Sequence, residues 1–94
     1  MLSEIPIRLE KVSKENIKKE LLRAAMIAEL DAISLYEQLA AMTDDENLKK
    51  LLLDVAKEEK THFGEFQALL LRLDSEQVKE LEEGRKEVEE LLKK

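Results

Sequence analysis

LKKLLLDVAKEEKTHFGEFQALLLRL, residues 48–73, reads as one helix face when its members are taken in alternating steps of four and three: Leu48, Leu52, Val55, Glu59, His62, Phe66, Leu69, Leu73. Steps of that size trace a single side of an α-helix. Six of the eight are large and apolar, and the two exceptions, Glu59 and His62, stand one turn apart where the period calls for core residues. An earlier stretch repeats the pattern, with Glu29 set among Leu22, Ala25, Ala32, Tyr36 and Leu39. Burying an unpaired carboxylate is costly, so buried charges pair with one another or bind metal.

Working outward, the remaining punctuation predicts an all-α chain of three helices. Residues 1–12, with Pro6, read as an extended arm, and Ser13 is the expected N-cap of a first helix over 14–42. Thr43-Asp44-Asp45-Glu46 matches the capping-box pattern and predicts a second helix over 44–73. Asp74-Ser75-Glu76-Gln77 signals a third over 75–93, with apolar positions at Val78, Leu81, Val88, Leu91 and Leu92 and a weak point at Gly84. Nothing alternates with period two, so no strand is expected. The 94 residues make a single domain with a small core of its own.

Composition narrows the chemistry. Sixteen basic against 22 acidic residues give a net charge of −6, which argues against nucleic acid and anionic membrane as partners and favours cations. The chain has no cysteine, so oxygen and imidazole remain as metal ligands. The N-terminal residues lack the pattern of a signal peptide and no apolar run reaches the roughly 18 residues of a membrane span, so a soluble cytoplasmic protein is expected.

Spacing then adds geometry. The turn between the first two helices centres on Asp44, so Glu29 lies 15 residues before it and Glu59 15 after it. At the helical rise both sit about 22 Å up an antiparallel hairpin, level with each other. A lone histidine on an apolar face is ordinarily a satisfied core residue. A glutamate three residues before it and a level glutamate on the next helix favour a metal site instead. Three ligands cannot satisfy two metals, and two helices leave an apolar stripe that one chain cannot cover. A two-fold homodimer supplies both missing halves, completing a four-helix bundle around two copies of Glu29, Glu59 and His62. Per dimer this matches the ligand set of ferritin-like di-iron bundles, one Glu from each of two helices and Glu-x-x-His from each of the others.

Glu29 within Ala28-Glu29-Leu30-Asp31-Ala32-Ile33-Ser34-Leu35-Tyr36-Glu37, followed after one hairpin by Glu58-Glu59-Lys60-Thr61-His62-Phe63-Gly64-Glu65, resembles the encapsulated ferritins. These are half-length ferritin-like proteins that work inside encapsulin shells. The likeness spans roughly residues 20–92 and is close to the ferritin-like domain that some archaea fuse ahead of an encapsulin shell protein. It implies a ferroxidase: a di-iron centre between two subunits, dimers assembled into a ring-like decamer, oxidation of Fe(II) to Fe(III) by O2, and mineral storage by the surrounding encapsulin nanocompartment. On that resemblance Glu29, Glu59 and His62 match the iron ligands, and Tyr36 matches a tyrosine beside the centre. Asp31 falls where the family has an acidic residue that admits metal, whereas Ala28 stands in place of its companion carboxylate. The final residues, Val88 to Lys94, lack the short apolar tail of free-standing cargo, which implies delivery to a shell by fusion or through a further C-terminal extension.

Zinc, manganese or calcium can substitute for iron at such a site, and the Irving–Williams order makes Zn(II) a strong competitor. Two other functions fit parts of the pattern. A rubrerythrin-like di-iron peroxidase would use the same metal pair with peroxide as oxidant, although these 94 residues hold no cysteine for an electron-transfer site. A non-catalytic helical assembly module would account for the amphipathic helices but leave Glu29, Glu59 and His62 without a reason. Glu58 and Glu65 read as solvated face.

Overall fold

The computed structural model describes residues 8–93, and all regular structure among them is helical. Helix α1 spans Ile17–Ala41, α2 spans Glu46–Leu73 and α3 spans Ser75–Leu92, preceded by one 3-10 turn at Leu9–Lys11. That turn corrects the expectation of an extended arm over residues 8–12, and the rest of the arm lies outside the described residues. None of the helices described is long and apolar enough to cross a membrane.

The helices start where side chains accept hydrogen bonds best, and this moves two expected boundaries. Ser13 does not cap α1: its carbonyl accepts from the Asn16 backbone N–H at 3.0 Å and its hydroxyl from the Asn16 amide at 3.1 Å, closing a turn that delays the helix to Ile17. At α2 the cap is Asp45 rather than Thr43, because the Asp45 carboxylate accepts from both Asn47 N and Leu48 N at 3.0 Å. Thr43 instead accepts from the Asp45 N–H and shapes the loop. The helices expected over 14–42 and 44–73 are therefore each shorter at their start, and the one expected over 75–93 ends at Leu92. Asp74, the single residue between α2 and α3, caps α3 by accepting from Gln77 N at 3.0 Å. Helix α3 runs unbroken through Gly84.

Helices α1 and α2 form an antiparallel hairpin whose fully buried apolar residues are only Ala40, Ala56 and Leu70 among those described. Ala40 lies at the end of α1 beside the loop, and Ala56 lies ten residues into α2, so small side chains occupy the contact at two heights. By the 100° step of an α-helix, the remaining apolar residues fall on two opposite faces of the hairpin. One face carries Leu21, Leu35, Leu39, Leu48, Leu51, Leu69 and Leu73, all exposed. It is also the face that carries the Glu59–His62 stripe, so that stripe lies at the rim of the hairpin and not in its interior. The other face carries Ile27, Leu30 and Leu53, likewise exposed.

Helix α3 leaves the hairpin sideways. Two helices side by side are about 20 Å across, so overall extents of 47 × 46 × 20 Å place α3 as an arm projecting from the base. Beyond Gln77 all its described residues are exposed, including Val78, Leu81, Val88, Leu91 and Leu92. The radius of gyration, 16.8 Å, is well above the roughly 12 Å of a compact chain this long.

Candidate metal centre

Glu29 comes from the middle of α1, and Glu59 and His62 from the middle of α2, each held by a continuous helix with several turns on either side. Their equal distance from the hairpin turn brings them together. One ligand atom from each of the three lies within 4.8 Å of the others. His62 Nδ1 is 3.5 Å from Glu59 Oε2 and 3.6 Å from Glu29 Oε2. The two carboxylates are largely covered, with side chains 17% and 20% exposed, while the His62 imidazole is 45% exposed at the rim.

The electrostatics of this group are unsettled as it stands. Glu29 Oε2 is buried and has no hydrogen-bond partner. The Glu29 carboxyl is held above its ordinary pKa first by the adjacent Glu59 carboxyl, with which only a protonated Glu29 could share a hydrogen bond, then by burial and by the Glu59 charge, which together outweigh the opposing pull of His62. Burial alone would lower the His62 pKa. The Glu59 carboxylate 3.5 Å from Nδ1, followed by the charges of Glu29 and Glu65, more than reverses this and raises it. The Glu29 carboxyl therefore favours holding its proton, beside an imidazole that favours being charged. A divalent cation would replace that proton, satisfy the orphaned oxygen and remove the repulsion. Two carboxylates and an imidazole suit a hard or borderline ion such as Fe(II), Mn(II) or Zn(II).

The other candidates stand apart from this group. Tyr36, two turns from Glu29 towards the loop, is half-buried on the same side of α1. Asp31 follows Glu29 by two residues, about 200° around the helix, and is not brought to the three-residue group. Glu58 is exposed and is not brought to the three-residue group, whereas Glu65, read from sequence as solvated face, contributes to the His62 shift. Its position three residues after His62 was the signal that marked it. Asp74, read from sequence only as part of the start signal of α3, is also buried and bonded to Arg23 of α1.

Residues 20–93 match the family model described as rubrerythrin. Among curated proteins, the ferritin-like–encapsulin shell fusion protein of Pyrococcus furiosus is 67% identical over 72 residues, 77% of this chain and 21% of that protein. The encapsulin nanocompartment cargo protein EncC of Myxococcus xanthus is 42% identical over 63 residues, 67% of this chain and 48% of the relative. The chain thus spans about a fifth of the first relative's length and about half of the second's. A solved encapsulated ferritin domain from Pyrococcus furiosus superposes with a TM-score of 0.83 at 56% identity, covering 98% of this chain and 96% of that one. Alike in sequence and in backbone over nearly its whole length to that domain, the chain belongs to the rubrerythrin family and, within it, to the encapsulated ferritins.

Proposed function

We propose that this chain is a ferroxidase, with Fe(II) and O2 as substrates and a di-iron centre formed between two copies. The observation that carries the reading is Glu29 Oε2, a buried carboxylate oxygen with no hydrogen-bond partner, set beside Glu59 and His62. One chain offers two carboxylates and one imidazole, half of the set that a metal pair takes in ferritin-like bundles. A two-fold partner laid on the exposed face around Leu48, Leu51, Leu69 and Leu73 doubles the set and covers that face. Two ferrous ions held there would give one electron each to O2, which with two protons leaves as hydrogen peroxide. The carboxylates hold the ferric product, and the surrounding apolar residues exclude water. Tyr36, two turns from Glu29 on the same side of α1, is assigned a catalytic part, and Asp31 is assigned to the route by which metal arrives.

The second apolar face and the projecting α3 support assembly of dimers into a closed ring, read as a decamer. The relatives named for encapsulin support an encapsulin shell as partner, and hence a place inside a cytoplasmic nanocompartment with the mineral stored by the shell. The match to the rubrerythrin model favours one second reading, a di-iron peroxidase at the same residues.

Aerobic addition of Fe(II), followed by near-ultraviolet absorbance, tests the proposal. The chain should bind about one iron per subunit and oxidise it, and Glu59→Ala should do neither. Oxidation that requires hydrogen peroxide and ignores O2 transfers the assignment to the peroxidase. Absence of bound iron in every preparation rejects both and leaves an assembly module.

A further inference from the structure

The root of α3 is held by a single polar node. Asp74 is the only residue between α2 and α3, its backbone leaves the helical region (φ −140°, ψ 88°), and it is 9% exposed. Its two oxygens have separate partners: one accepts from Gln77 N in the first turn of α3, the other from Arg23 Nη2 on α1 at 3.1 Å. Arg23 is itself steadied by Glu20, whose carboxylate accepts from Nη1 at 2.8 Å. Around the node there is open space. A cleft of about 590 Å³ lies between the start of α1 and the α2–α3 junction, and an apolar groove of about 390 Å³ runs along Met26, Ile27, Leu30 and Phe63. Arg23 lines both. With the rest of α3 exposed, packing does little to fix its angle.

We infer that the Arg23–Asp74 ion pair is a latch that sets the direction of α3 against the hairpin, and through it which neighbouring subunit α3 can reach. A one-residue connection has only two soft dihedrals, and these would let the arm swing. Asp74 couples the first turn of α3 to α1 instead of to the end of α2 alone. The guanidinium suits this role because its fork engages Glu20 and Asp74 at once, whereas a lysine would offer a single point of charge. The consequence for assembly rests on the reading of α3 as the assembly helix. The latch itself does not.

The described residues include no cysteine, so nitroxide labels at Ser34→Cys on α1 and Glu87→Cys on α3 report the angle by pulsed electron–electron distance measurement. Dilution with unlabelled chain isolates distances within one subunit. Arg23→Met keeps the apolar stem and removes the charge. Asp74→Asn weakens the ion pair and keeps the cap, since Asn caps as well as Asp. The parent should give one narrow distance distribution, and each folded variant a broadened or displaced one. A distribution as narrow and centred as the parent's in the folded variants overturns the latch, as does a broad distribution in the parent. Native mass on the same samples separates the two readings: displaced distances with unchanged assembly uphold the latch and remove α3 from assembly.

Discussion

At the scale of single residues, the ionised Glu29 carboxylate costs apo stability and the charged His62 imidazole adds to it, and both effects make stability fall as pH rises. Glu29 has a raised pKa, so its ionised form is less stable folded than unfolded, and this cost appears as pH rises above about 4.5 and through the folded pKa. His62 also has a raised pKa; its stabilisation is full below about 6.5 and is lost as pH rises through its folded value. Both signs agree, so the midpoint of thermal unfolding in chelator should fall between pH 5 and pH 8. Metal affinity should rise over the same range, because the ligands must lose their protons. Glu29→Ala in chelator at neutral pH should unfold no earlier than the parent, whereas His62→Ala should unfold earlier, having left two carboxylates without their counter-charge. Equal destabilisation of the two would make Glu29 an ordinary structural group.

At the scale of the element, the caps decide where each helix begins. Asp45 accepts two backbone N–H groups and Thr43 none from within α2, so Asp45→Ala should cost about 1 kcal/mol by denaturant unfolding. Thr43→Ala should cost distinctly less, and a larger loss there would return the cap to Thr43. The capping-box signature at 43–46 located the helix start to within two residues. It missed the capping residue because Thr43, Asp44 and Asp45 are all good caps, and the loop's own hydrogen bond from Asp45 N to Thr43 chooses among them.

For the whole molecule, a radius of gyration of 16.8 Å and two apolar faces describe a chain shaped for neighbours. Native mass spectrometry at micromolar concentration should find dimers or larger assemblies. A strictly monomeric chain, with and without metal, would end the two-subunit site. Removing residues 75–94 should leave dimers that still bind metal and abolish the larger species, since Val78, Leu81, Val88 and Leu92 are exposed in one chain. If the truncated protein keeps its full assembly, the hairpin faces alone build it.

Helical class, the hairpin and the meeting of Glu29, Glu59 and His62 were legible in the sequence, because periodicity and rise per residue act along the chain and can be counted. Residues 15 positions either side of Asp44 come level whatever the detail of the turn. The rotation of each helix about its axis and the contacts across the chain are different in kind. They left the Glu59–His62 stripe at the hairpin's rim, orphaned one oxygen of Glu29, and joined Asp74 to Arg23, 51 residues away. Only the tertiary structure decides these, because they depend on which side chains meet once the helices have come together, and no local spacing encodes that meeting.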